Sequence, residues 1–219
     1  MNELEALGTA QNRKVYPRHG AREPIFGVSY ANIGRLAKRI GRDQALAERL
    51  WATGNHDARV QATRIAAPDA LTPRLANAWV RDCDNYVLVE ALAGLVAASP
   101  IASDRAEAWR GRRAEWVCSA GWAVTAHLAT SPDEVLSAKE CDRLLKQIAA
   151  GIDGSPNRVR HEMNAALIAI GSRGGHVERL ARRTARQIGT VEVDHGQTGC
   201  KTPAALPYLD RIAARRGRG

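Results

Sequence analysis

Trp79-Val-Arg-Asp-Cys-Asp-Asn-Tyr-Val-Leu-Val-Glu-Ala-Leu-Ala-Gly-Leu-Val96 is the stretch whose reading decides the fold. Asp84 or Asn85 can cap a helix, because either side chain accepts from the free N–H groups of a first turn. Leu88, Leu92 and Leu95 then fall on one stripe, with Val89 and Val96 beside it. Tyr86 and Glu90 are four residues apart and share a face. Glu90 is the only charged residue in the predicted helix Asn85–Ala98. A carboxylate in such a helix is paired, hydrated or protonated, since burying it bare is very costly. The residues alone favour a structural Glu90 bonded to an Arg of a neighbouring helix over a catalytic one, because ion-pair networks perturb carboxylates as active sites do.

Outward from this helix the chain keeps the same character. Ala, Leu and Arg dominate, Phe occurs once, and β-branched runs are few, which favours helix almost everywhere. At 219 residues, 45% hydrophobic and 25% charged, the chain can bury a full core and fits one domain, 1–219. The acidic start Met-Asn-Glu-Leu-Glu lacks the apolar core of a signal peptide. The longest uncharged run, Trp116–Pro132, is too short and too polar to span a membrane and reads as a buried helix. A cytoplasmic protein is expected, with Cys83, Cys118, Cys141 and Cys200 reduced; no C-x-x-C pair suggests a zinc ribbon.

In order, helices are expected over Asn2–Leu7, Gln11–His19, the segment capped by Ser29, Gln44–Thr53, His56–Ala67, the segment entered at Thr72-Pro73, Asn85–Ala98, Ser103–Arg112, Arg113–Ala129, Lys139–Ala150, Pro156–Gly171 and Val177–Ile188. A loop with a basic tail follows over 190–219, with a further helix start at Thr202-Pro203. Connections are short, so successive helices run antiparallel, and helix pairs recur every ~30–45 residues, the period of HEAT-like units. The expected fold is all-α, an α-solenoid or superhelix of HEAT-like antiparallel helix pairs; a compact irregular bundle is the alternative.

The charge is +9 and uneven: residues 155–219 hold twelve Lys and Arg against five Asp and Glu. Arg35, Lys38, Arg39 and Arg42 form one basic stripe, at i, i+3, i+4 and i+7. Arg179, Arg182, Arg183 and Arg186 form another of the same spacing. A single such stripe is usually a solvated face, but two suggest repeated phosphate contacts along nucleic acid. Arg158, Arg160 and His161 join the candidate contacts. Asp194, His195 and Cys200 are all metal-ligand types, yet their spacing fits no zinc motif. A Gly-turned loop is favoured there, and no metal or cofactor is expected. His56, Asp57 and Arg59 are expected to supply a cap and an interhelix hydrogen-bond network, and Trp109 is expected to be exposed.

Several stretches carry a family resemblance: Ala6–Lys14, Phe26-Gly27-Val28-Ser29 with Leu36-Ala37-Lys38, Leu50–Arg59, Trp79 with Asp82–Glu90, and Ala114-Glu115-Trp116 before a long helix. In order and spacing they resemble the HEAT-like DNA alkylation repair family, the AlkD-type alkylpurine DNA glycosylases. The tail Val193–Pro203 is similar to one branch of it. The resemblance implies an α-solenoid whose basic concave face holds duplex DNA. It also implies release of cationic N3- and N7-alkylpurines without base flipping.

The departures bear on that activity. Active members carry a Trp and an Asp four apart on the central helix, matched here by Tyr86 and Glu90. A cleft Arg is matched by Ser119 and a second cleft Trp by Ala165. Two of four cleft residues are thus lost and two changed, which favours reduced or lost glycosylase activity and supports DNA binding better than excision. If excision persists, Glu90 would stabilise the oxocarbenium-like sugar, with Tyr86 packed on the deoxyribose or the cationic base. The reading from a different class is a non-catalytic HEAT-repeat module that binds an unusual nucleic-acid structure or a protein partner.

Overall fold

A computed structural model describes residues 1–132 and 135–217. Among them are thirteen α-helices: α1 (Asn2–Ala6), α2 (Ala10–Val15), α3 (Tyr30–Ile40), α4 (Gln44–Ala52), α5 (His56–Ile65), α6 (Pro73–Asp82), α7 (Tyr86–Ala97), α8 (Ala102–Arg110), α9 (Glu115–Ala129), α10 (Ala138–Gly151), α11 (Asn157–Gly171), α12 (Gly175–Ile188) and α13 (Ala205–Arg216). Short 3-10 turns occupy Tyr16–His19 and Pro68–Ala70. The only β pairing among the described residues is an isolated bridge between Gly8 and Val28.

The helix starts follow from the sequence. Thr9, Ser29, Asp43, Asn55, Thr72, Asn85 and Ser137 each accept a hydrogen bond from the third residue of the helix they precede. Pro73 occupies the first turn of α6, where its missing N–H costs nothing. Asn85, rather than Asp84, caps α7, taking the Leu88 N–H at 3.1 Å.

Helices adjacent in sequence pack as hairpins, α4 on α5, α6 on α7, α10 on α11 and α12 on α13. Helices two apart also pack: α3 on α5 and α5 on α7, then α9 on α11, α11 on α13 and α10 on α12. Contact between both neighbours and next-neighbours is what stacked helical hairpins produce, and the fold is all-α of the HEAT-like kind.

The described residues group into two compact units. The first holds residues 1–105 with His195–Gly199. Its core is Leu88, Val89, Leu92, Ala93 and Val96 of α7, set beside a stacked pair of indoles, Trp51 and Trp79, with ring centroids 4.3 Å apart. Trp51 Nε1 donates to Asp82 at 2.8 Å, and the Arg59 guanidinium lies 5.4 Å over the same indole. The Asp57 carboxylate accepts three backbone N–H groups, from Phe26 at 2.7 Å, Gly27 at 3.1 Å and Val28 at 2.8 Å. Of the residues expected to form the cap and network here, Asp57 and Arg59 take part, Arg59 donating to the carbonyls of Trp51 at 3.4 Å and Asp82 at 3.1 Å. The cap is Asn55, and the His56 ring stays outside the network.

His56 is buried, its ring edge toward Tyr16, and neither ring nitrogen has a hydrogen-bond partner. Burial holds its pKa below the ordinary 6.5, and the Asp57 and Asp84 carboxylates only partly oppose that. The folded state keeps His56 neutral where the unfolded chain takes up a proton. Stability is therefore complete above pH 6.5 and falls as pH drops below it, by at most about 1.4 kcal/mol per pH unit. Urea melts between pH 7.5 and 5 should reveal this slope, and His56→Phe should flatten it. An identical slope in the variant would assign the effect elsewhere.

The second unit holds residues 106–194 and 200–217 of the described chain. Its core is formed by Trp109, Trp122, Leu144, Leu145, Ile148, Leu167 and Ile170. Trp109, expected to be exposed, is 2% exposed, because α8 turns its indole inward. The 190–219 segment, expected as a loop and basic tail, also carries α13. Leu209 of α13 is buried over Gly171, where an added Cβ would sit 2.7 Å from its methyl group.

Candidate nucleic-acid interface

In the first unit, Arg35, Lys38 and Arg39 on α3, and Arg42 just beyond it, are all at least partly exposed. They are not four equivalent charges. Arg42 donates to the carbonyls of Arg64 at 3.1 Å and Ala66 at 2.8 Å, closing the end of α5. Arg39 pairs with Glu3, and Arg35 bonds Asn32 one turn back. Such exposed pairs add little stability and exchange readily for a phosphate, whereas Arg42 has a structural task.

Tyr86 opens α7, and its hydroxyl lies 2.5 Å from His19 Nδ1, with the two rings edge to face. One turn along, Glu90 is exposed. The side chain thus lies on the α7 surface while Leu88, Leu92 and Leu95 turn inward. Close by, Tyr30 stacks on Tyr16 with ring centroids 5.4 Å apart, and Tyr16 donates to the Val28 carbonyl. Burial pushes the Tyr16 phenol up to about 12, so it stays protonated at neutral pH. Three of the four tyrosines, Tyr16, Tyr30 and Tyr86, thus gather with His19 and His56 in one unit. Sequence reasoning missed this cluster by treating 16–30 as a break and a loop. The signal available was the density of ring residues at the helix starts 16, 30 and 86.

In the second unit, Ser119 on α9 is 1% exposed, and its hydroxyl has no hydrogen-bond partner. Ala165 on α11 is half-buried. Neither provides a guanidinium or an indole. Arg158, a candidate phosphate contact, is instead buried at 9% exposure, because α11 turns it inward. Arg160 and His161 are half-buried. His161 faces the Thr202 hydroxyl at 3.3 Å. On the same side of α11, Asn157 both donates to the Asp194 carbonyl and accepts its N–H, each at 2.7 Å, and Asn164 donates to the Pro203 carbonyl at 2.9 Å. Asn157, His161 and Asn164, at i, i+4 and i+7, form a polar stripe that holds the chain after α12. No three His, Cys, Asp or Glu side chains converge as a metal site among the described residues.

The α12 stripe also divides. Arg182 is held by Glu178 at 2.8 Å and Asp210 at 2.6 Å, and Arg216 joins Glu178 from α13. The two arginines pull the Glu178 carboxyl below its ordinary value against the opposing effect of burial. Arg182 therefore ties α13 to α12 and is withdrawn from the candidate interface. Arg179, Arg183 and Arg186 remain exposed along one face.

The family described as DNA alkylation repair enzyme matches residues 1–181. The chain belongs to this DNA alkylation repair family. Two uncharacterized proteins, Lmo0209 of Listeria monocytogenes and Lin0241 of Listeria innocua, are each 24% identical to it over 221 residues, covering 97% of this chain and 95% of their own. A solved structure is similar at a TM-score of 0.86 and 32% identity, covering 100% of this chain and 93% of its own. It is described as representing a new family of proteins related to the HEAT-like repeat DNA glycosylases, with affinity for branched DNA structures. No helix among the described residues of this family member is long and apolar enough to cross a membrane.

Proposed function

We propose that this DNA alkylation repair family member binds branched DNA through its phosphates, holds plain duplex more weakly, and excises N3- or N7-alkylpurines slowly or not at all. The observation that carries the reading is Ser119. The position matched to the family's cleft arginine is a buried serine, which offers no guanidinium to grip a phosphate and hold the backbone against a cleft. Tyr86 is already engaged by His19, and the Glu90 carboxylate is exposed, where water screens the charge it could present to an oxocarbenium-like sugar. Binding is the function that survives these changes. The net charge of +9 and the exposed Arg179, Arg183 and Arg186 suit a polyanion. A branch point brings phosphates of several strands together, so a few arginines meet more negative charge there than along one duplex. The affinity of the 32% identical relative for branched DNA supports the same choice.

The test compares a four-way junction with a duplex of equal length, by fluorescence anisotropy across a salt series. The junction should bind at least tenfold tighter. Replacing Arg179, Arg183 and Arg186 together with Ser should lower the slope of log affinity against log salt by up to about 2.7, since each neutralised phosphate contributes ~0.9 to it. Arg182 is left intact because its removal would loosen α13. Equal binding of duplex and junction would overturn the branch preference, and an unchanged slope in a folded triple variant would remove α12 from the interface. In parallel, duplex carrying N7-methylguanine should release no free base beyond the spontaneous rate. Robust release abolished by Glu90→Gln would instead assign the glycosylase activity to Glu90.

A further inference from the structure

The second unit contains a cavity of ≈ 320 Å³ that the DNA-binding reading does not use. Its walls come from the end of α8 and from α9, α10 and α11. The volume lies at the small end of the ~300–1,000 Å³ range of ligand pockets.

Its charge is unbalanced. Arg110 lies 5.5 Å over the Trp122 indole and donates one hydrogen bond, to the Thr125 hydroxyl. That hydroxyl in turn donates to the Gly121 carbonyl at 2.7 Å. A guanidinium has five N–H donors, so most of those of Arg110 have no acceptor among the described residues. The one carboxylate on the wall, Glu107, is bridged by Arg143 at 3.6 Å. On this wall two cations therefore face one carboxylate; Glu140, on which Arg143 also acts, lies outside the wall. Burial and then repulsion from Arg143 hold Arg110 down to about 10, which still leaves it charged at pH 7. A half-buried cation whose one nearby carboxylate is bridged by a second cation is under-compensated, and an entering anion relieves both the desolvation and the repulsion.

The remaining groups describe what kind of anion enters. The Cys118 thiol donates to the Arg110 carbonyl at 3.2 Å, and burial pushes its pKa up, so it is no nucleophile. The site is built to bind and not to react. Two guanidinium forks match the several oxygens of a phosphate better than the two of a carboxylate. The space exceeds one phosphate, and Met163 gives the rest an adaptable apolar wall. We propose that this cavity is a binding site for a small phosphomonoester, its phosphate held between Arg110 and Arg143 and its organic part against Met163. The same chemistry occurs in a free nucleotide and at the 5′ end of a DNA strand.

Calorimetry and ligand-observed NMR on the whole chain test this with inorganic phosphate, deoxythymidine 5′-monophosphate, deoxythymidine, and a short single strand with and without a 5′-phosphate. The monophosphate should bind at least tenfold tighter than the nucleoside. Arg143→Ala should weaken it at least tenfold, as should Arg110→Met. Gly111→Phe should abolish binding without changing any charge. Gly111 lines the cavity, and a Cβ there meets nothing nearer than 4.0 Å, so the ring can enter the empty space. Should Arg110→Met fail to fold, the other two variants decide. Tighter binding of the 5′-phosphorylated strand, abolished in Gly111→Phe, supports the site and assigns it to DNA ends. Binding of the mononucleotide alone supports it and assigns it to a free nucleotide. Equal binding of nucleoside and nucleotide overturns the proposal, as does no binding of any phosphate probe, or parental affinity in both Arg143→Ala and Gly111→Phe. Junction binding should persist in Gly111→Phe, so failure here and failure of the branched-DNA reading are separable.

Discussion

Asp57→Ala is expected to bring the protein to the edge of unfolding at room temperature. The Asp57 carboxylate is 0% exposed and accepts the backbone N–H groups of Phe26, Gly27 and Val28. It sits in the first turn of α5, where the helix dipole also favours a negative charge. Removing it leaves three backbone donors without acceptors, at about 1–3 kcal/mol each, hence roughly 3–9 kcal/mol together. A domain's whole margin is ~5–15 kcal/mol. The segment cannot easily relax to find water. Gly27 has φ +74°, and a Cβ on it would meet Arg13 N at 2.7 Å and Thr9 O at 2.8 Å, so the chain passes within backbone contact of α2. Asp57→Asn should recover less than half of the loss, because its amide directs an NH₂ group at donors where the carboxylate has a second oxygen. Urea melts followed by circular dichroism measure both. An Asp57→Ala stability within about 1 kcal/mol of the parent would mean that the 26–28 segment is not held by this carboxylate.

The fold was legible because its signals are local. The leucine stripe of α7 repeats at helical spacing whatever lies beside it, and Ser29, Asn55, Thr72 and Asn85 announce the helices they cap. Trp109 was misplaced because its neighbours Glu107 and Arg110 are charged. The face an indole turns inward depends on which helix crosses it, and that is a tertiary fact. The helix at 205–216 was announced only by its start at Thr202-Pro203; what secures it, Leu209 against Gly171, Asp210 on Arg182 and Arg216 on Glu178, depends on partners that are distant in sequence.

The candidate interface was legible only as a distribution of charge. Equal spacing made Arg179, Arg182, Arg183 and Arg186 look equivalent. Glu178, four residues before Arg182, was the clue that one of them would pair, and Asp210 completed the pairing from another helix. Arg42 was no more readable, since the carbonyls it binds belong to residues 64 and 66. Arg110 and Arg143 were passed over because neither belongs to a stripe; the cavity they share is built from helices that only packing brings together.

Gly121→Ala is expected to destabilise the protein although helix propensity alone predicts the reverse. Gly121 lies in the middle of α9, where glycine costs about 1 kcal/mol relative to alanine. A Cβ there would stand 2.5 Å from Arg110 N, 2.9 Å from Trp109 C and 3.0 Å from Ala106 O. All three are backbone atoms, so no side chain can swing aside, and α8 must move off α9. That shift would also pull apart the Cys118 hydrogen bond to the Arg110 carbonyl and the Arg110 bond to Thr125. The expected net loss is about 3 kcal/mol, at the upper end of ordinary overpacking. Gly34→Ala supplies the control. Gly34 is also inside a helix, α3, but a Cβ there meets nothing within 4 Å, so the substitution should stabilise by roughly 0.5–1 kcal/mol. Opposite signs in the two variants, read from urea midpoints, would establish that the α8–α9 crossing needs a missing side chain. A Gly121→Ala variant as stable as the parent, or more so, would mean that α8 does not lie against α9 at this distance, and the walls of the Arg110 cavity would have to be redrawn with it.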